Sequence, residues 1–437
     1  MKKILFFISY IVAAISASAM EVVLTPGRLP EIMPSIQESA DGVLVLKGAA
    51  TSADLTALRY LPLSVSSLDL SGLEIKGCEQ HKGDWFGQTV FSDGEIPAYM
   101  LMGTGVKTLR LPSAVTVIGK GAFSSTPLTE IDVAGVREIG EGAFKDCSEL
   151  KKAVFLKSSF KSIPAYTFYG CKSLRDLSIA SEVERVGKHA LEKCGVRKID
   201  LPWVKEIEDY AFARASDLTE IGFAYDCKLG EGAFYGVTSL DSVMRHPGNT
   251  PPLAFAGGAS VDFLNVKGEE VGEGAYSNSK ASLIGLSKDM KHIGPYAFHA
   301  MPNLKKIVAA TCDEIPEAAE TAFAGNNVSE ISLYVKRGEV DKWRQAPVWR
   351  DFRITDEESG IIETAVTSDI EILHNGDMIS VASSDTISDI ALFSLDGMLL
   401  SAVNPEACSA EIAYPADTDI VIVRVRAGKG IKVVKLK

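Results

Sequence analysis

Apolar residues recur on two scales along this chain. On the short scale, segments such as LTEIDV from Leu128, LRDLSI from Leu174, VRKIDL from Val196 and VSEISL from Val328 read apolar-x-x-apolar-x-apolar. Alternation of this kind predicts short strands, with Ile131 and Val133 facing inward while Glu130 and Asp132 face solvent. On the long scale, an aromatic residue or leucine recurs at Leu101, Phe123, Phe144, Phe168, Leu191, Phe212, Phe234, Phe255, Tyr276, Phe298 and Phe323, in steps of 21 to 25 residues. A unit this short cannot bury its apolar face alone, so the period implies coils stacked on one another.

Each long-scale anchor closes a small motif. Residues 139–144 read IGEGAF, and the GxG start resembles a phosphate-binding turn. Such a turn occurs once in a domain, whereas this motif returns as IGKGAF from Ile118, LGEGAF from Leu229, VGEGAY from Val271 and IGPYAF from Ile293. It is therefore a repeat element. Glycine allows a tight turn or close backbone approach, alanine keeps neighbouring coils near, and the aromatic ring fills the coil interior, worth about 1.5 to 3 kcal/mol of burial. A fixed apolar pattern with a period of about 20 to 29 residues is the signature of leucine-rich repeats. The expected fold is an α/β leucine-rich-repeat solenoid of about eleven coils around a parallel sheet.

With residues 106–123, VKTLRLPSAVTVIGKGAF, and with Cys147, Cys171 and Cys194 each three residues past an anchor, the chain resembles the BspA-like (Treponema pallidum type) leucine-rich repeat proteins over roughly residues 65–352. The resemblance implies a secreted or surface protein, of a kind often associated with adhesion to host or bacterial partners.

The flanks read differently. Residues 1–19 carry Lys2 and Lys3, an apolar run from Ile4 and the small-x-small end Ala17, Ser18, Ala19, the form of a cleavable signal peptide. Residues 20–64 read as an N-terminal cap: a short helix after a turn, a strand from Gly42 and a second helix over TSADLTALRYL. The solenoid spans 65–354. Its longest departure from the period, KGCEQHKGDWFGQTVFSDG, places Trp85, Phe86 and Phe91 beside His81, either as a binding loop or as a flap packed onto the cap. In the closing coil a helix starts at KRGEVDKW, and Trp343, Trp349 and Phe352 cover the end. Residues 355–362 form an acidic linker. From 363 to 437 the strands GDMISVAS, DIALFSLDGMLLSAV and DIVIVRVRAGKGIKVVKLK, joined by DG and KG turns, predict an antiparallel β-sandwich. This tail, above all FSLDGMLLSAV and the basic end IKVVKLK, resembles the C-terminal sorting domain of the type IX secretion system of Bacteroidota.

Charge and chemistry narrow the function. The formal charge is −12, and −14 once Lys2 and Lys3 leave with the leader, which argues against nucleic acid as a partner. No apolar run beyond the leader reaches the length of a membrane span. Seven cysteines without C-x-x-C spacing suit a small buried slot better than a disulfide framework, and other coils fill the slot of Cys147, Cys171 and Cys194 with Ala215, Val237, Ser279 or Met301. The six histidines are scattered and no HExxH or GxSxG motif occurs. Neither an enzyme nor a cofactor or metal site is expected.

The expected activity is binding of a protein or glycan through the concave sheet; the alternative is a structural envelope component without a specific ligand. Outward strand positions mix charges over Thr108 to Gly222 and turn apolar later, so Met244, Phe263, Leu283 and Val308 form the candidate ligand patch.

Overall fold

A computed structural model describes residues 19–40, 42–79, 90–155, 157–179, 182–223, 227–240, 248–257, 263–356, 370–375, 378–394, 399–415, 421–427 and 430–436. The chain forms two compact units, residues 1–240 and 241–437.

In the first unit the described strands run parallel to their neighbours, apart from the antiparallel pair Cys78–Glu79 and Val90–Phe91. Ala19–Leu24, Gly42–Thr51, Val65–Lys76 and Thr108–Arg110 form one sheet; Glu130–Asp132, Lys152–Phe155 and Asp176–Ile179 form a second; Lys198–Leu201 pairs with Glu220–Phe223. Register is in phase across coils, so Glu130, Lys152 and Asp176 lie in one row. The alternation is obeyed: Ile131 and Val133 are buried while Glu130 and Asp132 are exposed. A narrower parallel ladder of two-residue strands, among them Glu138–Ile139 and Arg185–Val186, runs along a second edge of the coils.

The anchor segments are neither helix nor strand. Their backbones bond from coil to coil, Phe123 N–H to the Ala143 carbonyl, Phe144 N–H to Thr167 and Phe168 N–H to Ala190. The chain turns into and out of the anchors through left-handed residues two positions either side, except at Phe323, where only Gly325 on the far side is left-handed. Around Phe144 these are Gly142 (φ 62°) and Asp146 (φ 58°); around Phe212 they are Tyr210 and Arg214. At Gly140 the need is space: a side-chain carbon there would fall on the backbone of Gly119 and Lys120 in the preceding coil. The rings meet as a column, with Phe144 at 5.3 Å from Phe123 and 5.4 Å from Phe168. The three cysteines lie beside it, fully buried and free, and the thiols of Cys147 and Cys171 donate to the carbonyls of Phe123 and Phe144 at 3.0 and 3.1 Å.

Helix is confined, among the described residues, to the ends of the repeats. Leu29–Ser39 and the short turn Ser52–Leu55 lie at the start, the latter held by Thr51 and Asp54 bonding to each other's backbone. The helix Val340–Gln345 lies in the second unit.

The second unit carries the strands Phe263–Val266, Leu283–Leu286, Lys306–Val308, Ser332–Tyr334 and Arg353–Thr355 as one parallel sheet. Its ring column, Phe255, Tyr276, Phe298 and Phe323, steps by 5.5, 5.7 and 5.3 Å and ends on Trp349 and Phe352. Trp349 is buried and donates its indole N–H to the Pro316 carbonyl at 2.7 Å. Beyond it lies an antiparallel tail. The long strand Met378–Ser394 pairs first with Ile370–Asn375 and Ala407–Ala413, then with Leu399–Val403 and Val421–Ala427, and the last pairs with Gly430–Leu436. The sequence pattern divides this span at the mostly polar stretch 384–388, between the strands GDMISVAS and DIALFSLDGMLLSAV. In the structure it is a register break within one strand, between Ala382 and Ile387. The strand Ala407–Ala413 escaped notice because it is exposed at nearly every position and shows no alternation.

Candidate interaction surface

In the first unit the strand positions opposite the coil interior form an open face. Thr108, Arg110, Glu130, Asp132, Lys152, Asp176, Ser178, Lys198, Asp200 and Glu220 are all exposed; only Val154 departs from the polar pattern, and it is buried. Opposite charges sit in adjacent coils: Lys198 pairs with Glu220 at 2.7 Å and Arg110 with Asp69 at 3.8 Å. Exposed pairs like these contribute little to stability, roughly 0 to 1 kcal/mol.

Trp203, 59% exposed, lies in the loop that follows Lys198–Leu201. A tryptophan this open on a folded chain is unusual and is the residue type most favoured as an interface anchor. Sequence reasoning passed over it; the signal was Pro202-Trp203 directly after a strand. On the anchor edge, Tyr166, His189 and Tyr210 stack at 4.9 and 5.5 Å, and Lys145 and Lys193 lie over neighbouring tyrosine rings. Tyr166, His189 and Tyr210 occupy the left-handed position that glycine takes in other coils. Tyr210 donates its hydroxyl to Glu231 at 2.5 Å, which together with partial burial pushes its pKa up to about 12.

The candidate patch lies in the second unit. Residues 241–247, and Met244 with them, fall outside the described residues. The structure brings the other three together: Phe263 pairs in register with Leu283, and Val308 lies in the next row on the neighbouring strand. They are not open. Leu283 and Val308 are 2% and 3% exposed, and with Phe263, Ala310 and Tyr334 they pack against Ile422 and Phe393 of the tail. The Phe263 and Phe393 rings meet edge to face at 6.1 Å.

Of the aromatic insertion, His81, Trp85 and Phe86 lie outside the described residues; Phe91 is buried, its strand paired with Cys78–Glu79. Among the described residues no group of three or more histidines, cysteines or carboxylates could hold a metal, and no helix is long and apolar enough to cross a membrane.

Residues 94–219, 139–250 and 254–342 match the sequence family described as a BspA type leucine-rich repeat region of six copies. Among solved structures, a leucine-rich repeat protein from Bacteroides ovatus ATCC 8483 is similar at 19% identity, over 67% of this chain and 87% of that one, with a TM-score of 0.45. The pneumococcal vaccine antigen PcpA is similar at 15% identity, over 80% and 96%, with a TM-score of 0.38. A leucine-rich cell surface protein from Faecalibacterium prausnitzii A2-165 is similar at 18% identity, over 54% and 86%, with a TM-score of 0.29. No curated protein matches the chain.

Proposed function

Since the chain belongs to the BspA-type leucine-rich repeat family, we propose that it is an exported, surface-displayed or released binding protein that holds a protein or glycan partner on the strand face of its coils, as an adhesin does. The observation that carries this reading is the open face of the first unit, where exposed polar side chains recur at the outward strand positions from Thr108 to Glu220, in register from Glu130 to Asp176 and from Lys198 to Glu220, with the exposed Trp203 in the loop after Lys198–Leu201. Solenoid faces of this kind are the binding surfaces of repeat proteins. Export rests on the leader-like residues 1–19, and surface delivery on the likeness of the tail to a type IX sorting domain. In this reading the chain binds a partner and catalyses no reaction.

The mixed charge of the same face favours a second reading, a structural envelope component, because a single-sign or apolar patch is the usual mark of a specific ligand surface. Capture decides between them. The chain from residue 20 onward is expected to retain a partner from host-matrix or bacterial-surface extracts, and Trp203→Ala with Lys198→Glu is expected to lose it at an unchanged melting midpoint. Capture by both forms would place the site elsewhere; capture by neither would favour the structural reading.

A further inference from the structure

The apolar residues of the late coils and the outer face of the tail fit one another. Along Val421–Ala427, alternate residues Val421, Val423, Val425 and Ala427 point into the tail's own core. Ile422 points the other way, onto Leu283 and Val308. On the partner strand Ile390 and Leu392 face the core, while Phe393 packs against Phe263. Period-two alternation thus gives the tail a second apolar face in addition to the one that folds it. Arg424 lies over the Phe393 ring and pairs with Asp389 at 2.7 Å, which sets a charged rim beside the apolar contact.

The two contacts differ in size. Among the described residues the tail's own core holds eleven buried apolar side chains, whereas the seat on the coils holds three, Leu283, Val308 and Ile422. A sheet with a complete core of its own can leave a small seat without unfolding, and a seat left open would present Phe263, Leu283, Val308 and Tyr334 as one apolar patch.

We propose that the tail is a built-in cover: seated, it closes the apolar strand face of the second unit's coils, and lifted, it opens a docking surface there for a partner that presents an apolar β-strand face with an aromatic residue and an arginine, the chemistry of the tail itself. The identity of this surface as a ligand site rests on the binding function proposed above; the cover does not, and it is tested without a partner.

The probe is 1-anilinonaphthalene-8-sulfonate, whose fluorescence reports open apolar surface, added to the chain from residue 20 onward. Ile422→Asp and Phe263→Asp strike opposite sides of the seat, and each is expected to raise the bound fluorescence several-fold over the parent at an unchanged thermal midpoint of the coils. Phe263→Asp combined with Phe393→Arg restores a favourable contact by charge and is expected to return the signal toward the parent. Fluorescence equal to the parent in both single variants would overturn the cover. So would a rise accompanied by earlier melting of the coils, which would make these side chains ordinary core. An opened variant that still captures no partner would leave the cover standing and sink the binding reading of this patch.

Discussion

Phe212 lies flat on Phe234, their centroids 5.4 Å apart and their planes 7° from parallel, although 22 residues separate them in the chain. The spacing is set by the coil-to-coil rise, so each ring is the floor for the next. Replacing Phe212, buried at 1% exposure, with alanine is expected to leave a cavity between two coils and cost about 3 to 5 kcal/mol. Asp200→Ala on the exposed strand face should change stability by less than about 0.5 kcal/mol. Denaturant midpoints of the two variants check this; equal midpoints would remove Phe212 from the coil interior.

The two glycines of IGEGAF do different work, and alanine separates them. At Gly142 a side chain has room but the left-handed backbone does not suit it, so Gly142→Ala is expected to cost about 1 to 2 kcal/mol. At Gly140 a methyl group would fall on the preceding coil's backbone, which cannot rotate away. Gly140→Ala should therefore cost more than Gly142→Ala. A reversed order in urea melts would contradict the close approach of coils at Gly140.

The thiol row makes stability depend on pH in the alkaline range. Burial pushes Cys147 up to about 11 and Cys194 up to about 12, and holds Cys171 well above its ordinary value of 9.0. These thiols ionise near 9 in the unfolded chain, so the unfolded state sheds protons first. Their contribution is intact below about pH 9 and is lost as the pH climbs toward the folded values. The melting midpoint is expected to fall between pH 9 and 11, and less steeply in a Cys147→Ala, Cys171→Ala, Cys194→Ala triple variant. In the native protein at pH 8, the exposed Cys408 should react with a thiol reagent while these three react only after denaturation.

The sorting reading of residues 363–437 makes a cellular prediction. A chain ending at Thr355 is expected to keep the circular dichroism of its coils yet accumulate in the periplasm of the native host. Surface display at the level of the full chain would leave the tail without a sorting role, though not without its place against Phe263 and Leu283.

Much of the molecule was readable because a solenoid repeats its local rules. Eleven anchors in steps of 21 to 25 residues, the alternation at Ile131 and Val133, and Gly140 followed by Gly142 each report a backbone state that a few neighbouring residues determine. The closing tryptophans were readable for the same reason, since a last coil must be covered by something large and apolar next in sequence.

What the pattern could not carry is cover supplied from a distance. Alternation assigns Leu283 and Val308 to the outward side of their strands and stops there; that Ile422 and Phe393 lie on them follows only from how the tail is seated. The exposed Trp203 and the stacked Tyr166, His189 and Tyr210 depend likewise on which coil lies next to which. Periodicity is a property of the backbone over a few residues, whereas exposure is a property of everything that packs against it.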